Sequence, residues 1–125
     1  MSDKNFRVAI VGSRLFNNYP YFEAKLKTWE AVYGVITEIV SGGATGVDRL
    51  AERYADSQKR RKRIHRADWN KYGNAAGPMR NTTIVNDGIQ ALIAFPDAKS
   101  VGTRDSITKA RAKGIPVFEY VVNIR

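Results

Sequence analysis

Residues 41–52, SGGATGVDRLAE, set Gly42, Gly43 and Gly46 between an apolar run and a helical pattern, and follow them with Asp48. Glycines at a strand-to-helix turn let backbone N–H groups come close to a phosphate, and the helix N-terminus behind them carries partial positive charge. The stretch lacks the Lys-Ser/Thr pair of a Walker loop and the spacing of the dinucleotide fingerprint. The same glycines would also serve a tight turn with no ligand. Two further stretches have the same character: Gly12-Ser13-Arg14 ends the apolar run FRVAIVG, and PDAKSVGTRD places Gly102 and Thr103 after IQALIAF. Arg80, followed by Asn81, falls near the start of a predicted helix. A cation there opposes the helix dipole, so local helix energetics do not account for it and a ligand role is expected. Trp69 and Tyr72 lie in a polar stretch, where they could stack on a base or cover a core edge.

The elements that position these residues follow from periodicity. FRVAIVG is a β-branched run stopped by glycine, which predicts a strand over residues 6–12. Phe22, Leu26, Trp29 and Tyr33 recur at helical spacing up to Gly34 and are expected in the core. VITEIV is the second strand and GVDRLAERYADSQ a helix with Leu50 and Tyr54 on one face. RIHRA is assigned as a short third strand at a charge-protected edge. Pro78 marks the first helical position of the next helix, IQALIAF is the fourth strand, TRDSITKARAKG a helix closed by Gly114, and IPVFEYVV the fifth strand.

This alternation predicts a Rossmann-like α/β fold: an open parallel sheet of about five strands, order 3-2-1-4-5, with helices on both faces. Ligands in such sheets sit beyond the C-terminal strand ends at the switch point, here between strands one and four. The three glycine-bearing turns belong to that end. The long connection after strand three must pass over it, carrying Trp69, Tyr72, Arg80 and Asn81 toward the crevice.

The 125 residues, 43% of them hydrophobic, suit one domain with a modest core. The lack of cysteine excludes disulfides and thiolate metal sites, the single His65 argues against a His-built zinc centre, and no metal or cofactor is expected. The charged start of the chain is followed by only a short apolar run, and no stretch reaches span length, which predicts a cytoplasmic protein without membrane association. A net charge of +9 makes a polyanionic partner a fair expectation. Lys59, Arg60, Arg61, Lys62, Arg63 and Arg66 are concentrated in KRRKRIHR with no acid among them. The run reads either as a solvated basic helix end or as a nucleic-acid patch. As a helix-to-strand connection it is expected at the end of the sheet away from the crevice.

VAIVGSR, SGGATGVDRLAERYA, ADWNKYGNAAGPMRN and GTRDSITKARAKGIPV, in this order and spacing, resemble the SLOG superfamily and most closely its small YspA/YpsA-related branch. The resemblance spans nearly the whole chain. It implies a pocket for a nucleotide or nucleotide-derived ligand lined by Gly12, Ser13, Arg14, Gly42, Gly43, Gly46, Asp48, Arg80, Asn81, Gly102 and Thr103, a bacterial or phage source, and a tendency to self-associate into a homo-oligomer. DNA-processing protein A, which binds single-stranded DNA, has a similar VGSR, glycine turn and Arg-Asn pair, and this likeness implies single-stranded DNA or RNA as an alternative partner. The LOG phosphoribohydrolases, which cleave nucleoside monophosphates at the N-glycosidic bond, carry an arginine that Arg80 matches and a PGGxGTxEE motif. Gly102, Thr103 and Asp105 fall on its GTxE part, so that resemblance implies an N-glycosidase with Asp105 or Asp48 acting on the sugar. The chain departs from the motif after Pro96, where DAKSV replaces two glycines, and it has Asp105 and Ser106 in place of the glutamates. Asp105 is thereby one methylene shorter than the family carboxylate.

Overall fold

Strand β1 (Arg7–Gly12) is the central strand, and the alternation of its side chains divides the core in two. The computed structural model describes residues 5–124; the charged start, residues 1–4, lies outside them. β1 pairs in parallel with β2 (Glu38–Ser41) on one side and β4 (Ala91–Phe95) on the other, and β3 (Arg61–Ile64) and β5 (Val117–Glu119) form the edges. The order is β3-β2-β1-β4-β5, as expected from the sequence. Val8 and Ile10 face Phe22, Leu26 and Trp29 of α1 (Tyr19–Tyr33) and Leu50 and Tyr54 of α2 (Val47–Ser57). Ala9 and Val11 face Ile84 and Val85 of α4 (Ala76–Val85) and Ile107 and Ala110 of α5 (Val101–Ala112). A one-turn helix, α3 (Trp69–Tyr72), and a 3-10 turn, Gly73–Ala75, lead into α4. The three inner strands β2, β1 and β4 are thus covered on both faces, which suits their largely apolar sequences, while the edge strands β3 and β5 are partly exposed. Among the described residues no helix is long and apolar enough to cross a membrane.

Several boundaries differ from the sequence reading. β2 begins at Glu38, three residues after the start of its apolar run, because Thr37 instead bonds Phe6: its N–H donates to the Phe6 carbonyl at 2.9 Å and its hydroxyl accepts the Phe6 N–H at 2.8 Å. Tyr33, expected in the core, is 52% exposed; it closes α1 and packs its ring on Trp29 and Phe118 from outside. α4 begins at Ala76, two residues before Pro78, so Arg80 lies in its second turn and the dipole argument for a ligand role does not apply to it.

The largest correction concerns the basic run. β3 is Arg61–Ile64, so Arg61, Lys62 and Arg63 belong to the edge strand itself rather than to a connection into it. Lys59, at φ 56°, takes the left-handed position that ends α2. Lys62 pairs with Asp56 at 2.8 Å, and Arg63 lies 3.8 Å from Glu38 and 3.7 Å from Asp87. Arg61 donates to the Asn5 side chain at 3.2 Å. The acids that offset this charge come from α2, β2 and the turn after α4, which sequence adjacency does not reveal. Arg66, beyond the C-terminal end of β3, reaches the crevice end of the sheet.

Arg60 is turned inward. Its guanidinium bonds the buried carboxylate of Glu30 and the Ile36 carbonyl at 2.9 Å, while Glu30 also accepts from the Tyr54 hydroxyl at 2.5 Å and the Ile36 N–H at 2.8 Å. Burial alone would raise the Glu30 carboxyl, but bonds from Arg60, Tyr54 and the Ile36 amide outweigh it and hold it below the ordinary 4.5. The lowered folded value means that Glu30 contributes stability fully above the unfolded value and loses it as pH falls through the folded one. Glu30→Ala is expected to cost about 3 to 5 kcal/mol in urea unfolding, since it strands Arg60 in a buried position. Glu30→Gln should flatten the part of the acid-induced stability loss that the wild type shows below pH 4.5.

Candidate functional site

The turns after β1, β2 and β4 meet at the C-terminal end of the sheet, and their backbones are bonded to one another. The Ser13 N–H donates to the Phe95 carbonyl and the Val47 N–H to the Ser13 carbonyl, each at 2.9 Å. The Ser13 hydroxyl, almost wholly buried, donates to Asp97 and accepts the Leu15 N–H at 3.1 Å. Asp97 is the residue that sequence reasoning passed over. Its other oxygen accepts the Lys99 N–H at 2.6 Å, and its own N–H donates to the Ser100 hydroxyl at 2.9 Å. The Ser13 bond, acting against burial and helped by the Lys99 amide, holds the Asp97 carboxyl below its ordinary value. An Asp followed by Ser three residues on, within a turn, was the available sequence signal.

Above these turns lies a cleft of about 680 Å³ bordered by Gly12, Arg14, Asp48, Trp69, Arg80, Asn81, Gly102, Thr103 and Asp105, together with Asp97, Lys99 and Ser100. Gly42 and Gly43 border a smaller side pocket of about 330 Å³, which shares Arg14, Trp69 and Arg80 with the cleft. Ser13 and Gly46 form the turns and border neither space, and Tyr72, 41% exposed, also lies outside both. Trp69 is half exposed at the mouth, with the Arg14 guanidinium 5.6 Å from its ring centre, and its far edge packs on Gly77.

Most of the glycines are explained by packing. A Cβ on Gly12 would stand 2.6 Å from Val47 and 2.7 Å from the Phe95 carbonyl. One on Gly42 would stand 2.5 Å from the Arg80 guanidinium. Gly46, at φ +73°, passes so near the first turn that a Cβ would lie 2.2 Å from the Ser13 carbonyl oxygen. Bare backbone here lets three turns nest. Gly102 differs: it lies in the first turn of α5, borders the cleft, has no left-handed φ, and a Cβ on it would meet nothing within 4 Å.

The charged groups have separate tasks. Asp48 is nearly buried in the first turn of α2 and accepts the Ala44 N–H at 3.0 Å. Burial raises its carboxyl above the ordinary 3.8, opposed by the Ala44 amide and the charges of Arg80 and Arg14. Arg80 donates to the Gly42 carbonyl at 2.5 Å and to Asn81 Oδ1 at 3.1 Å. Its burial makes the cation more costly, with Asp48 offsetting part and Arg14 adding repulsion. Asn81 donates to the Gly102 carbonyl and to Asp105, both at 3.1 Å, and Asp105 also pairs with Lys109 at 2.8 Å. α2, α4 and α5 all begin beside the cleft, and in none does the N-cap side chain bond the first turn. The first amide of each is already bonded, Val47 to the Ser13 carbonyl, Ala76 to that of Gly73 and Val101 to that of Lys99, and the helix dipoles behind them favour an anion there. Among the described residues no group of three or more His, Asp or Glu could hold a metal ion.

A doubly covered parallel sheet with a glycine-turn cleft at its switch point defines a Rossmann-like ligand-binding domain. Residues 6–72 match the YspA, cpYpsA-related SLOG family (YAcAr), and the chain belongs to it. The Gene 61 protein of Mycobacterium phage D29 is 35% identical over 127 aligned positions, spanning 91% of this chain and 95% of that one, and its phage source fits the expected bacterial or phage origin. The solved structure of DNA processing protein A (DprA) from Streptococcus pneumoniae is similar at a TM-score of 0.73 and 20% identity, over 96% of this chain and 52% of that one. The chain thus spans about half the length of that relative, and the likeness establishes a shared fold. Family membership supports a nucleotide- or nucleic-acid-binding role in general.

Gly46→Ala is expected to destabilise the fold by roughly 3 kcal/mol or more in urea unfolding, from left-handed strain added to a backbone clash.

Proposed function

We propose that the cleft binds a nucleotide or nucleotide-derived phosphate, as a binding or sensing domain. The observation that carries this is Gly102. A glycine in a helix costs about 1 kcal/mol relative to alanine, and here neither φ nor packing requires it. Close approach of a ligand to the α5 backbone supplies the reason, with the phosphate against the α5 and α2 N-termini and Arg14 or Arg80 as the countercharge. Asp48, already bonded to the Ala44 amide, acts as a brace for the turn.

The half-exposed Trp69 beside Arg14 favours a second reading, in which the same mouth stacks a base of single-stranded DNA or RNA. In that case affinity for an oligonucleotide falls steeply with salt, as counterion release requires. An N-glycosidase is less well supported, because the Asp105 charge is already offset by Lys109 and its oxygen accepts from Asn81.

The test is calorimetric titration with AMP and ADP-ribose. Gly102→Ala should raise unfolding stability by up to about 1 kcal/mol while weakening the nucleotide, and Arg80→Gln should weaken it as well. Wild-type protein that binds neither compound at millimolar concentration would refute the proposal, as would Gly102→Ala with unchanged affinity.

A further inference from the structure

The side pocket beyond Trp69 is a convergence of cations. Arg14, Arg66 and Arg80 all border it, together with Gly42, Gly43 and Thr45. Two of the arginines are anchored to the same turn by their side chains, Arg80 Nη1 donating to the Gly42 carbonyl at 2.5 Å and Arg66 Nη1 to the Gly43 carbonyl at 3.2 Å; Arg14 is tied to it through its backbone, whose carbonyl accepts the Thr45 hydroxyl at 3.1 Å, and its guanidinium lies 5.6 Å from the Trp69 ring centre. The left-handed Gly43 makes room for Arg66, since a Cβ there would stand 2.8 Å from its guanidinium.

Among the described residues none of the three arginines forms an ion pair, whereas Arg60, Lys62 and Arg63 of the basic run all do. Asp48 is the nearby carboxylate, and it is bonded to the Ala44 amide. Two guanidinium groups fastened to one turn and a third held beside Trp69 repel one another, and a multivalent oxyanion reached by several N–H donors is the chemistry that would offset them. The side pocket shares Arg14, Trp69 and Arg80 with the main cleft, so one ligand can occupy both by passing the indole.

We infer that the side pocket receives a second phosphate, so that the preferred ligand is a phosphate-linked dinucleotide unit with one phosphate in the cleft, a base at Trp69 and the other phosphate among Arg14, Arg66 and Arg80. The inference rests on the nucleotide reading of the main cleft. The unit could be a free dinucleotide or part of a strand, and the two share the same chemistry.

The experiment compares AMP with the 5′-phosphorylated dinucleotide pApA by calorimetry on wild type, Arg66→Gln and Arg61→Gln. Arg66 is exposed and outside the main cleft, and Arg61 is an exposed cation on β3 that borders neither space. The expected result is pApA binding about tenfold or more tighter than AMP, with that advantage lost in Arg66→Gln, retained in Arg61→Gln, and AMP affinity alike in all three. Equal affinity for AMP and pApA in wild type overturns the second-phosphate site and leaves the cleft reading standing. An equal loss in Arg61→Gln overturns it too, because general charge then carries the advantage. Binding of neither compound removes the cleft reading and this inference together. A twelve-nucleotide strand identifies the source: affinity that keeps rising with length, with a steeper salt dependence, points to a strand, and affinity that levels off at pApA points to a small dinucleotide. Either outcome requires the two-phosphate site.

Discussion

Ser13 holds together the end of the sheet on which the candidate site is placed. Its N–H bonds the last residue of β4, its carbonyl bonds the first residue of α2, and its hydroxyl bonds Asp97 in the turn before α5. One residue therefore sets the spacing of three strand ends. Such closeness is sterically possible only because Gly12 and Gly46 carry no side chain where Val47, Phe95 and the Ser13 carbonyl approach. Removing bulk brings the backbones together, and the buried Ser13 hydroxyl and Asp97 carboxylate that result are supplied with partners, as low-dielectric surroundings require, whereas the buried Ser41 hydroxyl at the end of β2 has none among the described residues.

That arrangement also shapes the candidate cleft. With the turns nested, α2 begins at the cleft from one face of the sheet and α4 and α5 from the other, without N-cap side chains bonding their first turns. Arg80 reaches across from α4 to the Gly42 carbonyl, and Asn81 beside it fastens α4 to the start of α5. The cleft walls are held by side chains bonded to backbone across elements, Arg80 to Gly42 and Asn81 to Gly102. Walls held in this way before a ligand enters would reduce the ordering cost of the proposed binding.

Much of this was legible in the sequence. The run FRVAIVG and the alternation of apolar strands with helical patterns specify a parallel sheet, and the crossover and switch-point rules then place the three glycine-bearing turns at one end. The order of four motifs also identified the family. What periodicity could not supply was the purpose of individual glycines: Gly12, Gly42 and Gly46 answer to packing, and Gly102 does not. Asp97 was passed over because its partner, Ser13, is distant in sequence. The basic run misled for a related reason, since Glu30, Glu38 and Asp87 meet it only across the folded sheet.

By itself the sequence determined the fold class, the strand order, the location of the cleft and the chemistry of the residues around it, because these follow from local periodicity, turn composition and chain-crossing rules. Only the tertiary structure decided which charges are already offset and which are left for a ligand. Arg60 and Arg66 stand six residues apart in one basic run, yet one is turned inward against Glu30 and the other is fastened to Gly43 beside the cleft. The physical reason is that an ion pair depends on distance in space, and the strand that separates these two arginines carries them to different ends of the sheet.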